Sequence, residues 1–280
     1  MKDRLKVSVI QMNSQGDQQA NLKQAQDLMA QALETEHPDL IVLPEYFNFY
    51  GGRQEGKMEA VNDVPGGPAY TFIQEYAKKN KVWIHAGSMM ERIAGENRIH
   101  NTTVVFDRNG KEITKYRKIH LFDIEGPDGT KYFESETIKP GNDVITYDIE
   151  GFKVGCAICY DMRFAELFIR LAQEKIDVLV LPAAFTLQTG KDHWEVLLRA
   201  RAIETQAYVV ASAQTGSYLN NRERRFTYGH SLVCDPWGHV VAKASDGVGV
   251  VSTQILRTQI QRCRQLIPMM AHRKLSVSKE

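Results

Sequence analysis

A cysteine at the end of an apolar strand is placed to act as a nucleophile, and Cys159 has that place within Gly151 to Phe164, GFKVGCAICYDMRF. Phe152 to Ile158 reads as a buried strand, introduced by a Glu150-Gly151 turn. Two-residue alternation sends Phe152, Val154, Cys156 and Ile158 to one face, and Lys153, Gly155, Ala157 and Cys159 to the other. The second face is mostly small, which allows close approach. Tyr160-Asp161 then turns the chain into a helix with Phe164, Leu167, Phe168 and Leu171 on one stripe. Such a strand-to-helix elbow exposes a nucleophile and aims backbone N–H groups at what it attacks. Blander uses compete. A strand-end cysteine is more often a small buried hydrophobe. Cys156 to Cys159 also fits the C-x-x-C of redox or zinc chemistry. Strand residues three apart face opposite ways, however, and the solitary Cys234 and Cys263 supply no short-spaced zinc ligands.

Two more charged residues stand where chemistry could use them. Glu45 follows the apolar run Leu40-Ile41-Val42-Leu43 and its terminator Pro44. A loop acid is ordinarily solvated, but ligands bind off the ends of strands buried on both faces. Lys118 lies in Tyr116-Arg117-Lys118-Ile119-His120-Leu121, among other basic residues. By itself it reads as a surface lysine.

The elements that must position these residues follow from periodicity and turn signals. Leu5 to Met12 alternates as a strand, and Asn21 is expected to cap a helix with Leu22, Ala25, Met29, Ala32 and Leu33 inward. A helix over Ala69 to Lys79 and a strand over Val82 to Gly87 follow, then a hairpin with arms Ile99 to Phe106 and Lys111 to Tyr116 around Asn109-Gly110. Asp123 to Pro140 is irregular, and long excursions of this kind are often functional. Val144 to Ile149 pairs with the elbow strand, and Val178 to Leu181 stops at Pro182. Lys191 to Thr205 is helical with Trp194, Leu197, Leu198 and Ile203 inward. Strands at Tyr208 to Ala213, Ser231 to Cys234, His239 to Ala242 and Gly249 to Ile255 complete the count. Gln214 to Thr227 reads as a solvated loop, and Arg257, Arg262, Arg264, Arg273 and Lys274 make the C-terminal arm basic. This alternation predicts an α/β fold layered helix, sheet, sheet, helix, in one domain over 1–280 with its core at about 5–255 and an arm at 256–280.

Composition narrows the function. The 280 residues are 43% hydrophobic and 25% charged with net charge +1, so no global field favours nucleic acid or an anionic membrane as partner. No apolar run approaches the roughly 20 residues of a membrane span. Four cysteines in a chain of this length fit a reducing compartment, and the expected location is cytoplasmic.

Together, LPEYF with Glu45, YRKIHLF with Lys118 and GCAICYDMRF with Cys159 resemble the nitrilase superfamily of carbon–nitrogen hydrolases. Phe133-Glu134 ahead of Pro140-Gly141, the run HWEVLLRARAIETQAYVVASAQ and then YGHSLVCDPWG extend the resemblance over about Leu5 to Ile255. The likeness is greatest to the Nit amidases, the branch with deaminated-glutathione amidase and ω-amidase. It implies the four-layer α-β-β-α sandwich and a Glu45-Lys118-Cys159 triad. Cys159 attacks as a thiolate whose ionisation Lys118 favours. Glu45 moves protons, and Lys118 with the N–H of Tyr160 holds the oxyanion. The resemblance carries Glu134 over as a second carboxylate that positions Lys118 and the substrate amide. Tyr46 and Phe185 are expected to wall the pocket, and Arg163 to contact substrate or serve in a structural ion pair.

The implied reaction converts the terminal amide of a carboxylate-bearing substrate, deaminated glutathione or an α-keto ω-amide, to acid plus ammonia through a thioester. It needs no metal or cofactor. A homodimer or an assembly of dimers is implied as well. Nitrilase or N-carbamoyl-amino-acid hydrolase activity would use the same triad, and a binding or scaffold protein could share the fold. Cys-His catalysis with His120, His193 or His230 lacks its local signatures. Arg225 resembles the arginine at this place in deaminated-glutathione amidases, and a guanidinium fork suits a substrate carboxylate.

Overall fold

The computed structural model describes residues 2–126 and 129–275. Its first half contains β1 (Arg4–Gln11), α1 (Gln18–Glu36), β2 (Leu40–Val42), α2 (Gln54–Glu59), α3 (Pro68–Asn80), β3 (Trp83–His85), β4 (Met89–Arg92), β5 (Ile99–Phe106) and β6 (Glu112–Arg117). The small hairpin β7 (Asp123–Glu125) and β8 (Lys131–Phe133) follows, then β9 (Thr146–Ile149), β10 (Phe152–Cys156), α4 (Ala165–Gln173), β11 (Val178–Val180), α5 (Leu187–Thr205) and β12 (Tyr208–Ala211). The chain continues through β13 (Thr215–Asn220), β14 (Glu223–Tyr228), β15 (Leu232–Cys234), β16 (Val240–Lys243), β17 (Gly249–Leu256), α6 (Arg257–Leu266) and α7 (Met269–His272).

Two large sheets face one another. The first runs β17-β1-β2-β3-β5-β4 with β6 also on β5, and the second runs β16-β15-β12-β11-β10-β9. At their centres β1, β2 and β3 are parallel, as are β10, β11 and β12. The shared core between the sheets joins Val7, Val9, Leu40 and Val42 to Val154, Cys156, Val178 and Val180. The outer face of the first sheet packs Ile41, Ile84 and Val104 on Ala25, Met29 and Ala32 of α1 and Ala69, Ile73 and Ala77 of α3. Leu167, Phe168 and Leu171 of α4 and Trp194 and Leu198 of α5 cover the second sheet. These layers are those of the expected α-β-β-α sandwich. Among the described residues no helix is long and apolar enough to cross a membrane.

Several local expectations are corrected. Asp17, not Asn21, caps α1, its carboxylate accepting the N–H of Ala20. Asn21 is buried, where its amide accepts from Gln15 N and donates to the Gln15 and Asn48 carbonyls. Ile203 is exposed rather than inward. Arg201 is buried on that helix instead, because its Nε reaches the Met162 carbonyl at 2.9 Å and its guanidinium lies over Phe168. Gln214 to Thr227 is no loop but the hairpin of β13 and β14, in full antiparallel register from Thr215↔Tyr228 to Asn220↔Glu223. The small face of β10 does receive a close neighbour: a Cβ on Gly155 would press on Leu171 and Ile176 at 3.0 and 3.1 Å. The last five positions of the expected arm lie outside the described residues, as do two positions of the Asp123 to Pro140 excursion.

Candidate active site

Glu45 leaves the carboxyl end of β2, and Cys159 leaves that of β10, so the parallel centres of the two sheets deliver both to one end of the sandwich. The elbow is tight. Cys159 has φ 47°, in the left-handed region a non-glycine residue enters at a cost of roughly 1–2 kcal/mol. It is held there by its own N–H donating to the Pro182 carbonyl at 2.9 Å, beyond the end of β11. The following Asp161, fully buried, accepts from Ile158 N at 2.8 Å, Tyr116 Oη at 2.7 Å, His120 N at 2.9 Å and His120 Nδ1 at 2.8 Å. One carboxylate thereby fastens the elbow to the segment that carries Lys118.

Lys118 Nζ, only 2% exposed, donates to Glu134 Oε2 at 2.8 Å, Glu134 Oε1 at 3.1 Å and Glu45 Oε1 at 3.1 Å. Glu45, equally buried, also accepts from Asn101 Nδ2 at 2.8 Å and, through its other oxygen, from Ala184 N at 2.8 Å. The Cys159 thiol lines the same cavity as this carboxylate. Glu134 accepts in addition from Tyr46 Oη at 3.1 Å and Phe122 N at 2.7 Å. Every oxygen of the two carboxylates therefore has a donor, as buried charge requires.

Burial would lower the Lys118 ammonium, but Glu134 and Glu45 overcome it and hold the group well above the ordinary lysine value. Burial likewise raises Glu45; Lys118 opposes this and Glu134 adds to it, leaving the carboxyl above its usual range. The thiol corrects the expected electrostatics. Burial and then the charge of Glu45 push Cys159 well above an ordinary cysteine, and the downward pull of Lys118 is outweighed. This environment favours the neutral thiol.

A cavity of about 410 Å³ opens onto these groups. Glu45, Tyr46, Lys118, Glu134, Cys159, Tyr160, Phe185 and Arg225 all line it. Arg163 does not: its guanidinium packs 5.4 Å from the Phe185 ring centre and 5.8 Å from that of Tyr160, with Nη2 3.2 Å from His193 Nδ1. No histidine is among the described residues that line the cavity. His120 is engaged by Asp161 and His230 by the Tyr228 carbonyl. Nor does any group of three or more His, Cys, Asp or Glu among the described residues converge as metal ligands.

Residues 6–265 match the family model of the carbon–nitrogen hydrolases. The chain belongs to that family. This carbon–nitrogen hydrolase is an amidohydrolase, a hydrolase of carbon–nitrogen bonds other than peptide bonds. It is 40% identical over 269 residues to a deaminated glutathione amidase of Synechocystis, an alignment covering 95% of this chain and 97% of the relative. It is 36% identical over 282 residues to the omega-amidase NIT3 of Saccharomyces cerevisiae, covering 99% of this chain and 96% of the relative. The crystal structure of Saccharomyces cerevisiae Nit3 superposes with a TM-score of 0.87 at 32% identity, covering 98% of each chain. That of the Caenorhabditis elegans NitFhit protein gives 0.88 at 35%, covering 98% of this chain and 66% of the other.

Sequence reasoning missed several residues that build the site of this carbon–nitrogen hydrolase. Asn101 is an amide inside a wholly buried strand, and the polar run His100-Asn101-Thr102-Thr103 in β5 was its one available signal. Asp161 stood in the elbow motif but read only as a turn residue. The N–H of Ala184 carries no side-chain signal at all. Lys57 lines the cavity from α2, a short helix without a strong apolar period.

Proposed function

We propose that the protein hydrolyses the amide of a small carboxylate-bearing substrate through a thioester on Cys159, with Glu45 and Lys118 as the other catalytic residues. The single observation that carries this reading is the meeting of Glu45, Lys118 and Cys159 at the buried end of one cavity, with Lys118 hydrogen-bonded to Glu45. Glu45 takes the thiol proton as Sγ forms a bond to the carbonyl carbon. Lys118 Nζ and the N–H of Tyr160 hold the resulting oxyanion, each donor worth roughly 3 kcal/mol in the transition state. Glu45 returns the proton to the departing nitrogen and the C–N bond breaks. Water then gives a proton to Glu45 and its oxygen attacks the thioester. The C–S bond breaks, and the sulfur recovers its proton from Glu45. Glu134 keeps Lys118 charged and oriented throughout.

The names of the relatives point to deaminated glutathione or an α-keto ω-amide as substrate. The leaving group is ammonia from an ω-amide and a substituted amine from deaminated glutathione. Arg225, one edge of the same cavity, is the candidate for the substrate carboxylate. The enzyme is further proposed to be cytoplasmic and to act as a homodimer. The exposed Val196 and Ile203, seven residues apart on one face of α5, fit a partner surface, and sedimentation velocity tests it. Deaminated glutathione and α-ketoglutaramate, the ω-amide of the same acyl group, both leave an α-ketoglutaryl group on sulfur. Intact-mass detection of that adduct therefore tests the thioester, and kcat/KM for each substrate decides between them. Turnover of neither, with no adduct formed, overturns the reading.

A further inference from the structure

The cavity changes character between its floor and its rim. Glu45, Lys118 and Cys159 at the floor are nearly inaccessible, whereas Lys57 and Arg225 are half-buried and Met58 and Asn221 are exposed. Two cations thus face the space that leads down to the thiol. Arg225 Nη2 pairs at 2.9 Å with Glu223, whose side chain is 72% exposed, and its guanidinium lies 4.8 Å from the Tyr132 ring centre. Its Nε is buried and has no hydrogen-bond partner among the described residues. Lys57 makes no ion pair or side-chain hydrogen bond among the described residues.

One unit holds both cations. Gly52, two residues ahead of α2, donates its N–H to the Leu219 carbonyl at 2.7 Å and accepts from Asn221 N at 2.8 Å, joining the lead into α2 to the turn of the β13–β14 hairpin. The junction needs glycine: Gly51 has φ 74°, and a Cβ there would strike the Leu219 carbonyl. Arg225 stands directly across the hairpin from Tyr218. The lead into α2 and the strand bearing Arg225 are therefore braced together.

We infer that Lys57 and Arg225 form a two-cation subsite for a substrate carboxylate remote from the scissile amide. This rests on the amidase reading of the floor and adds Lys57 as a second residue that selects its carboxylate-bearing substrate. Burial and the neighbouring Arg225 both pull the Lys57 ammonium below its ordinary value, while Glu134 opposes them. Like charges held together in a half-buried space are unfavourable until an anion lies between them. A carboxylate there would meet both the Lys57 ammonium and the Arg225 guanidinium where they line the cavity.

The test compares glutaramic acid with its methyl ester, which places the anion on the acyl side, and propionyl-cysteinylglycine with its methyl ester, which places it on the leaving amine. Lys57→Met should raise KM for the acid at least about tenfold more than for the ester in one of the two pairs, and Lys57→Arg should recover most of that discrimination. The pair that responds identifies which carboxylate is gripped. Equal changes for acid and ester in both pairs would overturn the subsite while leaving the amidase intact. Calorimetry of glutarate against its dimethyl ester, on Cys159→Ala with and without Lys57→Met, makes an independent comparison without turnover. A subsite gripping the acyl-side carboxylate predicts that only glutarate binding weakens. For a subsite on the leaving-amine side the same calorimetry uses cysteinylglycine and its methyl ester.

Discussion

Asp161 takes both the N–H and the Nδ1 of His120, at 2.9 and 2.8 Å, and so fastens the Cys159 elbow to the chain two residues past Lys118. This carboxylate is the polar tie nearest both the thiol and Lys118, beside apolar packing and bonds such as that from Ala184 N to Glu45. Asp161→Asn replaces an acceptor oxygen by an NH2 facing two donors. The expected loss is ~1–3 kcal/mol of stability, with kcat lowered and KM nearly unchanged. Thermal melts and steady-state kinetics check it. A fall in Tm with kcat intact would show that Asp161 supports the fold without aligning the site.

Cys159→Ala should abolish turnover and the acyl adduct while the fold survives. Cys156 is wholly buried between the sheets. Cys156→Ala should therefore lose some stability but keep appreciable activity. Intact-mass analysis of both variants with substrate reads the difference directly. An adduct on the Cys159→Ala protein would remove Cys159 from the mechanism.

Lys118 and Glu45 share one hydrogen bond and act on the same sulfur and carbonyl, so their losses should not multiply. Glu45→Gln and Lys118→Ala are each expected to lower kcat by about a hundredfold or more, and the double variant should be little worse than either. Clean multiplication of the two factors would mean independent roles.

Activity should fall with acidification at a pH above 4.5, the ordinary glutamic acid value, because burial raises Glu45 and a protonated Glu45 cannot accept the thiol proton. The carboxylate is present above its folded-state pKa and lost below it, so the limb descends toward low pH. The pH dependence of kcat/KM for a neutral amide locates it without titrating the substrate. A limb at or below 4.5 would assign the base elsewhere.

Arg225→Ala and Arg225→Lys should each raise KM for anionic amides, since an ammonium cannot reproduce the guanidinium fork. Parallel assays on a neutral short-chain amide check the assignment. An equal rise for both substrates would make Arg225 a brace for Tyr132 and Tyr218, and no change in either would remove it from the site.

The sequence by itself determined two strand ends and what stands on them. Unbroken apolar runs stopped by Pro44 and by the elbow locate Glu45 and Cys159 through local rules of burial and period, which need no partner strand. Family context did the same for Lys118 and Glu134. Polar residues whose partners are distant were not legible. Asn21 looked like a cap because that role is local, but its amide is used by Gln15 and Asn48. The hairpin bearing Arg225 read as a loop because its half-solvated faces carry too little apolar alternation to outweigh three arginines.

Only the tertiary structure decided the charge balance of the site. Lys118 beside a cysteine suggested a thiolate, yet ionisation depends on the sum of burial and every nearby charge. Closing the sandwich removes solvent from the thiol and sets Glu45 against it, which outweighs Lys118. The pairing of Lys57 with Arg225 was equally invisible, since the residues are far apart in sequence and meet only through the backbone bonds between Gly52 and the β13–β14 hairpin. Periodicity records which face of an element is buried. The distances between charges arise only when separate elements are packed together.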